Sequence, residues 1–176
     1  DPVSSTVQYA KINSDGSTGA WATTTSISSL NDHSSVVANG YVYVIGGENP
    51  GSLANKSSVQ YAKLNSDGSL GAWATSTESI SARDDFSAVV ANGYVYVIGG
   101  NNDFDSSVQF AKLNSDGTTG AWATSTYGIS ARSEHSSVVA NGYVYVLGGV
   151  NGVSLSSVQY AKLNSDGTTG AWATST

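Results

Sequence analysis

Two short stretches hold most of the side chains that could do chemistry. Arg83-Asp84-Asp85-Phe86 and Arg132-Ser133-Glu134-His135 each set a guanidinium beside carboxylates. Paired carboxylates serve as acid and base when their surroundings drive their pKa values apart. A nucleophile beside a base is missing from both stretches, so the pattern points to binding before turnover. His33 and His135 stand at matching places, with Phe86 at the corresponding place between them. Metal ligands must converge to about 2 Å from one ion, which two such separated histidines do not do. They read as structural, and no metal or cofactor is expected. With no cysteine, thiolate ligands, cysteine nucleophiles and disulfides are all excluded.

The tetrapeptide Asn-Ser-Asp-Gly, at 13–16, 65–68, 114–117 and 164–167, alternates oxygen-bearing side chains before a glycine, as calcium loops do. A leading aspartate is absent and a lysine lies just upstream. A turn, with Asn and Asp capping backbone groups, explains the same residues. Asn55-Lys56-Ser57 fits a glycosylation acceptor.

Charge narrows the classes further. Only 11% of the 176 residues are charged, and the net charge is −6. Nucleic-acid binding rests on Lys and Arg neutralising phosphates, so a nucleic-acid partner is not expected. No apolar run reaches the roughly 20 residues of a membrane span. The Ser/Thr/Asn-rich, lysine-poor composition leans towards an extracellular or cell-surface location.

The elements that must position these residues are stated by repetition. VVANGYVYVIGG at 36–47 returns at 89–100 and, with one Leu for Ile, at 138–149. Asn-Gly between two β-forming runs is a hairpin signal, because both turn residues take φ > 0. VQYAKINSDG starts at Val7, and near copies start at Val59, Val108 and Val158, so the spacings are 52, 49 and 50 residues. Each copy leads into Gly-Ala-Trp-Ala-Thr. A period near 50 fits one four-stranded propeller blade. In the first full unit the strands are expected at Ser34–Ala38, Tyr41–Ile45, Val59–Leu64 and Ala72–Thr75, here termed A to D. The near-continuous apolar character of Tyr41–Ile45 predicts burial on both faces.

Four apolar residues, a Gly-Gly pair and a spaced Tyr and Trp resemble the kelch repeat. Gly46, Gly47, Tyr61 and Trp73 carry the likeness in one unit, then Gly99, Gly100, Phe110 and Trp122, then Gly148, Gly149, Tyr160 and Trp172. Arg83 and Arg132 match the arginine that commonly precedes strand A, where the first unit has Leu30. The resemblance implies an all-β, kelch-type propeller segment, with the glycines permitting tight packing and the aromatics wedged between blades. Its units are a half blade with connecting loop at 1–32 and blades at 33–77, 78–126 and 127–176. About three and a half blades do not close a ring with one chain, so further blades of a longer chain or a homo-oligomer are the expected partners. Copper-radical oxidases of this family need a Cys–Tyr cross-link, which a chain without cysteine does not form. A glycan-modifying enzyme of the mutarotase or lyase kind stays open as an alternative, as does a purely structural or designed array.

Variation among the units points to one face. The A–B turn and the Asn-Ser-Asp-Gly C–D turn are the same in every copy. The B–C loops (ENPGSLANKSS, NNDFDSS, VNGVSLSS) and D–A loops (TSISSLNDH, ESISARDDF, YGISARSEH) differ. Both variable sets fall at one end of an up-and-down blade. They hold eight carboxylates against three cations, whereas the repeated C–D hairpins hold four of each. Function on a rigid β-scaffold concentrates in such loops. The expected role is a non-enzymatic binding or scaffold module for a protein or carbohydrate ligand. Its candidate face comprises Arg83, Asp84, Asp85, Phe104, Tyr127, Arg132, Glu134 and His135, with the aromatics as stacking or anchoring groups.

Overall fold

A computed structural model describes residues 4–100 and 104–175. Asp103, counted above among the eight loop carboxylates, lies outside the described residues. The strands are β1 (Val7–Tyr9), β2 (Ala22–Thr24), β3 (Ser34–Ala38), β4 (Tyr41–Ile45), β5 (Glu48–Asn49), β6 (Ala54–Asn55), β7 (Val59–Lys63) and β8 (Ala74–Thr75). They continue as β9 (Ser87–Ala91), β10 (Tyr94–Ile98), β11 (Val108–Lys112), β12 (Ala123–Thr124), β13 (Ser136–Ala140), β14 (Tyr143–Leu147), β15 (Val158–Lys162) and β16 (Ala173–Ser175). Three four-stranded antiparallel sheets result: β3-β4-β7-β8, β9-β10-β11-β12 and β13-β14-β15-β16. The β1-β2 pair forms an outer half blade ahead of them.

The Asn-Gly turns take the conformation their sequence requires. Asn39, Asn92 and Asn141 have φ of 51°, 53° and 51°, and the following glycines 78°, 79° and 77°. Such turns match the right-handed twist of the strands they join. They fix the register Tyr43↔Tyr61, Tyr96↔Phe110 and Tyr145↔Tyr160. Each B–C pair therefore stacks one aromatic on another, with ring centroids 6.3, 6.2 and 6.0 Å apart.

The core lies between blades. One cluster joins Tyr43, Ile45 and Val59 to Ile80, Phe86, Val95, Val97 and Leu113 of the next sheet; a second repeats this pattern between the second and third sheets. Val95 to Ile98 are wholly buried, so the middle β10 is covered on both faces. Its counterpart β14, in the last of the described sheets, is covered on one: Leu147 is 39% exposed where Ile45 and Ile98 are 0%. The innermost strands β3, β9 and β13 lie against one another in succession. Backbone bonds link them at one end, Asp85 N–H to the Asp32 carbonyl at 3.1 Å and Glu134 N–H to the Asp85 carbonyl at 2.9 Å.

Two details differ from expectation. Strand D is only two residues long in β8 and β12, because the chain first closes the C–D turn through bridges such as Leu64↔Leu70. The first B–C loop folds into a small hairpin, β5-β6, with Glu48 opposite Asn55.

Candidate functional site

The residues singled out from the sequence separate into a buried set and a surface set. Arg83 and Arg132 are 2% and 1% exposed, so neither belongs to a binding surface. An arginine in the D–A loop has a reason to turn inward, since the strand ends around it present carbonyls and side-chain oxygens without donors. Arg83 donates from Nη1 to the Gly99 carbonyl at 2.9 Å and to Ser107 Oγ at 3.1 Å. It also donates from Nε to the Ser81 carbonyl at 3.3 Å and from Nη2 to Gln109 Oε1 at 3.3 Å, and pairs with Asp105 at 3.0 Å. Arg132 repeats the arrangement on the carbonyls of Ser130 and Gly148, on Ser157 Oγ and on Gln159 Oε1, at 3.1, 2.7, 3.2 and 3.1 Å. Burial lowers the pKa of both guanidinium groups, and Asp105 partly offsets it for Arg83. These arginines pin the D–A loop to strands B and C of their own blade.

The first blade lacks the pin. Leu30 is buried at the equivalent place, and a cavity of about 440 Å³ opens beside it, bordered by Ser28, Ser58 and Gln60. These are the counterparts of Ser81, Ser107 and Gln109. Lys56, which also borders the cavity, stands where the second blade has Asp105.

His135 and Asp84 are likewise inside. His135 wedges between the second and third blades, and both ring nitrogens lack a hydrogen-bond partner among the described residues. Burial first, and the Arg132 charge second, push its pKa down to about 4. Phe86 is buried at the same place one blade earlier, so the site needs a flat ring and gains nothing from a second nitrogen. Asp84 accepts from Asn55 Nδ2 at 3.2 Å, which anchors the β5-β6 hairpin and occupies the amide of the glycosylation triplet. His33, in contrast, is exposed.

The surface set is Asp85, Phe104, Tyr127 and Glu134. Asp32, Asp85 and Glu134 occupy matching positions with φ of 50°, 51° and 54°, a left-handed conformation that costs a residue with a Cβ on the order of 1 kcal/mol. The inter-blade backbone bonds at Asp32, Asp85 and Glu134 hold it. Their carboxylates crowd one end of the sheets. Burial, then the charges of Asp32, Asp84, Glu134 and Glu48, raise the pKa of Asp85 to about 6. Tyr127 is 51% exposed at the start of its loop, and Phe104 is half-buried. Among the described residues, no three His, Asp or Glu side chains have metal-holding geometry.

At the other end, each Asn-Ser-Asp-Gly turn forms the same closed network. Asp15, Asp67, Asp116 and Asp166 accept from the backbone N–H two residues on, at 2.9–3.0 Å, and from that residue's hydroxyl at 2.6–2.7 Å. The Asn amide donates to the same hydroxyl at 2.9–3.0 Å. In each turn one carboxylate oxygen and the Asn amide serve the turn itself.

Among the described residues, no helix is long and apolar enough to cross a membrane. Comparison with known families matches the kelch motif over residues 131–160. No curated protein matches the chain. The matched stretch runs from the residue before Arg132 through the Gly148-Gly149 pair to Tyr160, and the two preceding sheets repeat its strands and register. The chain carries a kelch motif at 131–160 within a repeat array of four-stranded antiparallel sheets, the architecture of a kelch-type propeller segment, and such a repeat suggests a binding or scaffold module.

Proposed function

We propose that the protein is a non-enzymatic binding module whose B–C/D–A loop face takes a basic, exposed segment of a partner protein. The observation that carries this reading is the carboxylate cluster around Asp85. Burial, and then four neighbouring acidic side chains, raise its pKa to about 6, and the arginines nearest in sequence are spent inside the blades. Such a face attracts cationic groups and speeds their encounter. Three of the carboxylates sit on strained backbone tied from blade to blade, which presents them without further ordering on binding. The half-exposed ring of Tyr127 adds an anchor at the rim, and it also supports a second reading in which the ring stacks on a sugar. Among the described residues of the face, no nucleophile is hydrogen-bonded to a base, which supports binding over turnover. A location outside the cell or at its surface agrees with the lysine-poor composition.

Screening immobilised basic peptides and a glycan array against the protein tests the reading. Capture of basic peptides, reduced by Glu134→Gln and by Tyr127→Ala in folded protein, is expected. Capture of neutral glycans alone, lost on Tyr127→Ala, would transfer the assignment to carbohydrate. Binding indifferent to both substitutions would remove this face from consideration.

A further inference from the structure

We propose that copies of this chain join head to tail, the hairpin flank at Ile12–Trp21 of one seated on the tyrosine face of the last blade of another. This joint is separate from the loop face, and the failure of either reading leaves the other standing.

The chain makes the same joint three times within itself. The turn glycine of each C–D hairpin rests on an aromatic ring of the preceding unit: Gly68 on Tyr9, Gly117 on Tyr41 and Tyr61, Gly167 on Tyr94 and Phe110. A Cβ at these glycines would stand only 2.9, 2.7 and 2.6 Å from ring carbons, closer than real side chains come. Beside the ring a hydroxyl clasp closes the contact. Leu70 N–H donates to Thr24 Oγ1 at 2.8 Å, and Ser76 meets Thr119 and Ser125 meets Thr169 hydroxyl to hydroxyl at 3.0 and 2.8 Å. In the first joint Trp73 Nε1 also donates to the Thr25 carbonyl at 3.0 Å. In the second and third, Leu113 and Leu163 of the same hairpin are buried.

Among the described residues, two halves of this joint are unfilled, one in the first unit and one in the last blade. At one end nothing lies within 4 Å of where a Cβ on Gly16 would point. Ile12, the counterpart of Leu113, is 75% exposed, and Trp21, the counterpart of Trp73, is 64% exposed. At the other end Tyr143, Tyr145, Val158, Tyr160 and Ser175 line an open cavity of about 300 Å³. In the two blades before it, the corresponding rings are covered by the next hairpin.

A second copy is the fitted occupant because it carries that hairpin almost residue for residue: VQYAKINSDGSTGAWAT against VQYAKLNSDGTTGAWAT. Seating Gly16 on Tyr143 and Tyr160 brings Thr18 to Ser175, as Thr119 meets Ser76. Each hairpin holds one Lys and one Asp, so no net charge opposes the approach. The contact is heterologous, and it gives a ring if its rotation closes and a filament if it does not.

Light scattering of the 176-residue chain across a concentration series tests this, with Ile12→Glu and Tyr143→Glu as variants and circular dichroism to verify folding. The wild-type mass should rise with concentration, and each variant alone should stay monomeric. Mixed, they should form a one-to-one dimer and nothing larger, since one intact flank and one intact face remain. If Tyr143→Glu does not fold, Ser175→Lys on the rim of the same cavity replaces it. A wild-type monomer at every concentration would overturn the proposal. So would variants that still associate alone, or a mixture that fails to pair.

Discussion

The empty arginine socket of the first blade permits a quantitative test of what the buried arginines do. Arg132→Leu removes four donors and leaves the Ser130 and Gly148 carbonyls and Gln159 Oε1 short of a partner. Unmaking buried, charge-assisted hydrogen bonds of this kind costs about 3–4 kcal/mol. The reverse substitution, Leu30→Arg, enters a cavity whose borders already include Ser28, Ser58 and Gln60. Alone it sets a guanidinium beside Lys56 where the second blade offers Asp105 at 3.0 Å. Hydrogen bonds and repulsion then nearly cancel, and the net change should lie within about 1 kcal/mol of zero. Adding Lys56→Asp should convert this into a gain of about 1–2 kcal/mol, with a coupling of at least about 1 kcal/mol in the double-mutant cycle. Urea unfolding reports these differences as shifts in midpoint at constant slope. A loss under about 1 kcal/mol for Arg132→Leu, or a coupling under about 0.5 kcal/mol, would refute the reasoning.

Three further outcomes follow from the same contacts. His135→Phe copies Phe86 and removes a ring whose pKa is lowered to about 4. A depressed histidine pKa gives stability that is present above about 6.5 and lost as pH falls towards 4, so the variant should gain about 2 kcal/mol at pH 4.5 and less at pH 7.5; equal shifts at both would contradict the burial argument. Asp85 behaves with the opposite sign, because its raised pKa favours the fold below about 4 and weakens it as pH rises through 6. Asp85→Asn should therefore stabilise by about 1 kcal/mol at pH 7.5, after allowance for solvent screening, and leave stability at pH 4 unchanged. Tyr96→Phe removes a hydroxyl that is buried without a partner among the described residues, and whose pKa burial pushes up to about 12. It should be neutral or stabilising by up to about 1 kcal/mol, and a loss of that size in thermal unfolding would reveal a hidden partner.

Much of the fold is legible in the sequence because the devices that set it are local. Asn39-Gly40 and its two repeats fix hairpin and register together, and the Asn-Ser-Asp-Gly turns enclose their own hydrogen bonds. The site was less legible. Arg83 and Arg132 stand in polar, variable loops and read as surface charges, yet the strand ends around them supply more acceptors than donors. The signal that identifies them lies in combination rather than type: arginine occurs with a following aspartate or leucine at 105 and 155, whereas Leu30 occurs with Lys56. The β5-β6 hairpin escapes notice because two-residue strands show no alternation. The acidic cluster depends on blades meeting around an axis, which no single stretch of sequence expresses.

Binding of cationic partners by the carboxylates of the loop face is read out by calorimetric titration with an arginine-rich peptide. The wild-type protein should bind, with affinity falling as salt rises, and the Asp32→Asn, Asp85→Asn, Glu134→Gln triple variant should bind at least about tenfold more weakly, a change of about 1.4 kcal/mol. Equal affinity for the two proteins, or no binding by the wild type at low salt, would show that these carboxylates do not recognise cationic partners.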